Sequence, residues 1–144
     1  MTHEIARSIE ISGTPADVWR ELTDTTAYGS WNPFITRLRG DLLEGERLEV
    51  EIRPHGGRSM VFKPKVLEVE PKRMLRWLGH LLVPGLFDGE HSFRLESVGP
   101  GRVRLTQAER FSGLLVRPLR RSLEGTARGF DEMNAALKER VEAA

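Results

Sequence analysis

His91, Gln107 and Glu109 are the residues whose types and spacing point most directly to chemistry. Between residues 89 and 96, Gly89, His91, Phe93 and Leu95 alternate with Glu90, Ser92, Arg94 and Glu96. A period of two belongs to a strand, and the apolar set marks its buried face, so His91 points inward beside Phe93. Across residues 103–111 the same pattern puts Val103, Leu105, Gln107, Glu109 and Phe111 on one face, unless a bulge shifts the register. Gly99-Pro100-Gly101 is turn chemistry and makes the two strands hairpin neighbours. At similar heights, His91 and Glu109 bring an imidazole and a carboxylate together in apolar surroundings. A buried polar group without a partner costs about 1–3 kcal/mol. Such a pair has three roles open to it: an internally satisfied structural contact, a polar anchor for an apolar ligand, or a general acid/base couple. His91 and Glu109 are therefore the candidate catalytic residues and, with Gln107, candidate ligand contacts.

Other chemistries lack their residues. The chain has no Cys, which excludes disulfides, thiolate metal sites, iron–sulfur clusters and a Cys nucleophile. His3, His55, His80 and His91 show no HxxxH or HxH spacing, so no His-built metal site is expected. There is no GxGxxG, P-loop or GxSxG, and Ser112 and Ser122 have no evident base partner. No cofactor is implied. Lys and Arg number 22 against 21 Asp and Glu, a formal charge of +1, which argues against a dedicated nucleic-acid binder. The first residues carry no apolar core of a secretory signal, and no run of about 18 apolar residues suggests a membrane span. A cytoplasmic location is the expectation.

The elements that must position these residues follow from periodicity. Ile5, Ile9 and Ile11 read as one face of a first strand, and Thr14-Pro15 as a helix cap and first helical residue. Val18, Trp19 and Leu22 give that short helix an apolar stripe, and Asp24–Ser30 reads as a second short helix or turn. Six strands follow, near residues 36–43, 46–53, 58–69, 72–81, 87–98 and 101–112, separated by Gly- and Pro-bearing turns. From Pro118 the period changes. Leu119, Leu123, Phe130, Met133, Leu137 and Val141 form the stripe of an amphipathic helix of about 25 residues. Gly125 and Gly129 each cost such a helix about 1 kcal/mol, which implies a close backbone approach or room for something else. One long helix must cover the apolar face of a six-strand meander, so the sheet is expected to curl around it. A chain of 144 residues makes residues 1–144 a single expected domain.

This order, with particular residues, resembles the Bet v 1/START-like superfamily, the polyketide cyclase/dehydrase and lipid-transport group. The residues that carry the likeness are Pro15-Ala16-Asp17-Val18-Trp19, Trp31-Asn32-Pro33-Phe34 and Gly89-Glu90-His91-Ser92-Phe93. Gly101, Glu109-Arg110-Phe111-Ser112-Gly113, and Phe130, Met133, Asn134 and Leu137 extend it over essentially the whole chain. The resemblance implies an α+β helix-grip fold: a curved seven-stranded antiparallel sheet around a long C-terminal helix, with two short helices after the first strand and an apolar cavity inside. It implies a role in binding or transport of lipids, polyketides or similar molecules, with a minority of enzymes.

The expected function is therefore binding, transport or sequestration of a small hydrophobic or amphipathic molecule. A cyclase/dehydratase-type enzyme working through His91 and Glu109 is the first alternative, and a protein–protein interaction module the second. The aromatic residues Trp31, Phe34, Phe62, Trp77, Phe93, Phe111 and Phe130 fall at core-facing positions and join His91, Gln107, Glu109 and Met133 as candidate ligand contacts. Residues 81–87, an apolar connection broken by Pro84 and Gly85, are expected to form a cavity lid or a dimer contact, in a monomer or homodimer.

Overall fold

The computed structural model describes residues 2–81 and 83–144. Strand β1 (Thr2–Ser12) leads into helix α1 (Pro15–Thr23), a 3₁₀ turn at Thr25–Ala27 and the single-turn helix α2 (Tyr28–Trp31). Thr14 starts α1 with a reciprocal cap: its hydroxyl accepts the Asp17 N–H at 3.1 Å, and Asp17 accepts the Thr14 N–H at 2.9 Å. Tyr28 is fully buried, and its hydroxyl donates to the Leu22 carbonyl, tying α2 to the end of α1. Burial holds its phenol well above the ordinary range, so it stays neutral.

Seven further strands follow among the described residues: β2 (Ile35–Arg39), β3 (Glu49–Ile52), β4 (Met60–Phe62), β5 (Lys65–Glu70), β6 (Met74–His80), β7 (Asp88–Gly99) and β8 (Arg102–Ser112). They form a five-stranded antiparallel sheet in the order β1-β8-β7-β6-β5 and a three-stranded sheet in the order β2-β3-β4. The expectation of a continuous seven-stranded sheet is corrected. The strand expected over residues 58–69 breaks into β4 and β5 at Lys63-Pro64. Proline has no N–H for the ladder, and the Pro64 carbonyl turns to accept the Leu48 N–H at 2.8 Å instead. That bond, the Arg47–Lys65 bridge and the Val66 N–H to Glu46 carbonyl bond join the two sheets across the break. Buried residues of both sheets and of the C-terminal helix share one core cluster.

The helical C-terminal segment also differs from the expected single helix. It starts as a four-residue turn, α3 (Val116–Leu119), tightens to 3₁₀ at Arg120–Ser122, and continues as α4 (Leu123–Ala143). Phe130, Met133 and Leu137 on α4 are fully buried and belong to one core cluster with Val18, Leu22, Phe93, Val103 and Leu105. On its outer flank, Arg140 reaches Glu21 of α1 at 2.7 Å and Lys138 donates to the Glu10 carbonyl of β1 at 2.9 Å. The two helix glycines resolve as close approaches. A Cβ on Gly129 would overlap the Phe34 ring, and one on Gly125 would stand 2.7 Å from the His55 carbonyl oxygen. Their missing side chains let Phe34, just before β2, and the loop after β3 reach the helix.

No helix among the described residues is long and apolar enough to cross a membrane.

Candidate functional site

The inward face of the hairpin β7–β8 carries the polar residues picked out by alternation. His91 pairs directly with Glu109 across the strands, and Phe93 with Gln107. No bulge intervenes between residues 88 and 97, so the inward set stays inward. His91 is 1% exposed and Gln107 fully buried.

These side chains form one hydrogen-bonded chain. His91 Nδ1 lies 3.1 Å from Glu109 Oε1, and His91 Nε2 lies 2.9 Å from Gln107 Oε1. Gln107 Nε2 donates to Asn134 Oδ1 at 2.9 Å, and Asn134 Nδ2 donates to the Arg7 carbonyl at 3.2 Å. The far end sets the direction of every bond. A backbone carbonyl only accepts, so Asn134 must meet it with its NH₂ and turn its oxygen to Gln107. Gln107 then donates to Asn134 and presents its own oxygen to the imidazole, so His91 Nε2 carries a hydrogen. At the other ring nitrogen, one proton is shared between His91 Nδ1 and Glu109 Oε1. Aromatic rings enclose the imidazole: Trp77 stacks at 5.3 Å, Phe93 tilts at 4.8 Å, and Phe130 meets it edge-on at 5.1 Å. The ring is locked by packing and by bonds at both nitrogens.

Glu109 forms the boundary between this chain and a cavity of about 320 Å³. The cavity lies between the sheets and the start of α4. Phe34, Val50, Ile52, Phe62, Trp77, Phe111 and Leu123 supply apolar wall, and His91 and Glu109 a polar edge. Two glycines belong to its wall. Gly79 of β6 and Gly89 of β7 are direct cross-strand partners and both line the space. A Cβ on Gly89 would collide with Glu109 Oε2, so the bare backbone there seats the carboxylate. Strand glycines facing a core are costly unless something needs their space.

The candidate residues separate by position. Phe34, Phe62, Trp77, His91, Glu109 and Phe111 line the cavity. Phe93, Gln107, Phe130 and Met133 do not. Gln107 stands behind His91 in the polar chain, Phe93 and Phe130 press on the imidazole, and Met133 is fully buried further along α4. Trp31 departs most from expectation. It ends α2, packs edge-on against Tyr28 at 5.4 Å, and receives the Arg140 guanidinium 5.8 Å from its ring centroid, away from the cavity wall.

The connection between β6 and β7 reaches the space at its two ends. Leu81 and Phe87 line it, and Phe87 packs on Phe111 at 5.4 Å. Leu81 donates to the Phe87 carbonyl, while Leu114 and Leu115 donate to the Gly85 and Leu86 carbonyls. Leu82 lies outside the described residues. Several lining residues were not candidates from the sequence, His80 and Gly79 among them. His80, at the end of β6, has Nδ1 2.7 Å from Asp88 Oδ1, and the Asp88 carboxylate also accepts the Gly85 N–H. Gly79 carries no side chain to notice. Both depend on cross-strand pairing, although a glycine on the inward face of a strand is a legible signal of hollow space.

Two antiparallel sheets and one long helix enclosing an apolar hollow define a helix-grip protein. The family described as "Polyketide cyclase / dehydrase and lipid transport" matches residues 2–142, and this chain belongs to it. Similar solved structures include the Zhui aromatase/cyclase from Streptomyces sp. R1128, with TM-score 0.80 and 14% identity over 99% of this chain and 94% of that one. A norcoclaurine synthase point mutant from Thalictrum flavum matches with TM-score 0.78 and 15% identity, over 99% and 96% of the two chains. A START superfamily protein from Mycobacterium smegmatis matches with TM-score 0.76 and 19% identity over 98% of each chain. At these identities the likeness is one of fold. No curated protein matches the sequence.

Proposed function

We propose that this chain is a single ligand-binding domain that takes up a small hydrophobic or amphipathic molecule, for transport or sequestration. The observation that carries the reading is the hollow of about 320 Å³, mostly apolar in its wall, with the hydrogen-bonded Glu109–His91 pair at one edge. Small-molecule sites begin at about 300 Å³ and combine apolar walls with a few placed polar groups. Burial of ligand surface at about 25 cal/mol per Å² supplies the driving force. In this reading residues 81–87 serve as the lid, since Leu81 and Phe87 face the space.

The fluorescent probe ANS tests it. Folded wild-type protein with a cooperative melt binds ANS saturably near one equivalent, and Gly79→Phe, which fills the hollow from the β6 side, abolishes the signal. A folded wild type that does not bind ANS refutes the proposal.

A second reading has one observation in its favour. The proton shared by His91 Nδ1 and Glu109 Oε1 lies at the cavity wall, and a buried acid/base couple there suits cofactor-free cyclase or dehydratase chemistry. The aromatase/cyclase among the similar folds supports that class without assigning a substrate.

A further inference from the structure

We infer that the ligand of this cavity presents a hydrogen-bond donor, an O–H or N–H on an apolar body, and that Glu109 Oε2 accepts it. The inference rests on the binding reading above and names the class of ligand within it.

It follows from the count of protons on the polar chain. Glu109 Oε1 and His91 Nδ1 share one proton. With the proton on nitrogen the pair is imidazolium and carboxylate. With the proton on Oε1 it is neutral imidazole and carboxylic acid. In both states Oε2 has no hydrogen and can only accept. A second proton would leave an uncompensated imidazolium on a residue 1% exposed, walled by Trp77, Phe93 and Phe130. An unpaired buried charge is strongly disfavoured. Oε2 is thus an acceptor whichever partner owns the proton.

Its surroundings leave that acceptor for a ligand. Oε2 has no protein hydrogen-bond partner among the described residues, whereas Oε1 has His91. It lies over Gly89, a lining position with no side chain to cover it, and the Glu109 side chain is 14% exposed. An apolar molecule without a donor strips water from Oε2 and gives nothing back, a loss that falls on ketones, ethers and plain hydrocarbons alike. An alcohol, phenol or amide N–H restores the bond.

The test uses three probes of nearly equal size: naphthalene, 2-methoxynaphthalene, which can only accept, and 2-naphthol, which can donate. Their dissociation constants are measured by competition with ANS for wild type, Glu109→Gln and Glu109→Met. Wild type binds 2-naphthol about ten-fold more tightly than either other probe, as expected for one hydrogen bond to a carboxylate. Glu109→Gln keeps the preference, because its amide N–H₂ donates to His91 Nδ1 and its oxygen takes the place of Oε2. Glu109→Met loses it. Equal binding of the three probes by wild type, or a full preference retained in Glu109→Met, overturns the inference and leaves the binding reading standing. Failure of ANS and all three probes to bind overturns both. The wild-type comparison decides even where a variant does not fold.

Discussion

Replacing Gln107 by Leu nearly conserves side-chain size and removes both hydrogen bonds that Gln107 makes in the core. His91 Nε2–H and Asn134 Oδ1 lose their partner. Both residues are buried, at 1% and 2% exposure, so water does not replace the lost bonds. Each orphaned group costs about 2 kcal/mol, within the usual range for unsatisfied buried polar atoms. The added apolar surface of Leu returns about 1 kcal/mol. The net expectation is a loss of about 3 kcal/mol. For a domain of this size that lowers the melting temperature by about 9 °C. Urea denaturation and thermal melts followed by circular dichroism measure it. Gln107→Leu/Asn134→Leu removes the second orphan together with its partner, so the double variant costs less than the sum of the singles. A Gln107→Leu protein within about 0.5 kcal/mol of wild type would refute the directional polar chain, and with it the proton assignment at His91.

Three further outcomes test separate parts of the account. Gly129→Ala gains about 1 kcal/mol of helix propensity but drives a methyl group into the buried Phe34 ring, so urea denaturation should show a net destabilisation of about 1–2 kcal/mol. Asp17 accepts the Thr14 backbone N–H, and this bond, with the Thr14 hydroxyl behind it, holds the carboxyl below its ordinary range. A depressed folded value means the contribution is present above the unfolded carboxylate range, about 3.9, and is lost as pH falls through the folded value. The difference in urea midpoint between wild type and Asp17→Asn is therefore open at pH 7 and closed at about pH 2. Leu86→Ser/Phe87→Ser weakens ANS uptake about ten-fold or more, through loss of the apolar cover, while the sedimentation coefficient stays unchanged. A changed sedimentation coefficient with normal uptake would assign the loop to a dimer contact.

The site was legible in the sequence where a short-range pattern set it. Alternation over residues 89–96 and 103–111 orients His91, Gln107 and Glu109 without any knowledge of the fold, and the turn at Gly99-Pro100-Gly101 brings the strands together. Direct pairing of His91 with Glu109 followed once the ladder ran unbroken between them. Partners set by long-range packing were not legible. Asn134 stood out only as one of several helix positions, and its place at the end of the polar chain depends on how α4 lies across β8 and β1. The inward Gly79–Gly89 pair and the His80–Asp88 contact depend on the β6–β7 register. Trp31 was a candidate as an aromatic at a core-facing position, whereas its ring packs with Tyr28 and Arg140. In the fold, Pro64 divided one expected strand, since the sequence pattern does not reveal which N–H the proline's carbonyl will accept. Gly125 and Gly129 signalled close approach correctly as one of two options, and the structure resolves both in favour of neighbouring chain rather than ligand space.

The most direct measurement is a ¹H–¹⁵N NMR titration of the folded protein with 2-naphthol. The account predicts saturable shifts clustered on the residues that face the hollow, including the backbone of Phe34, Trp77, Gly79, Gly89, His91, Glu109 and Phe111, with the outer strand faces unmoved. Shifts confined to the outer surface, or none at concentrations where ANS is displaced, would contradict it.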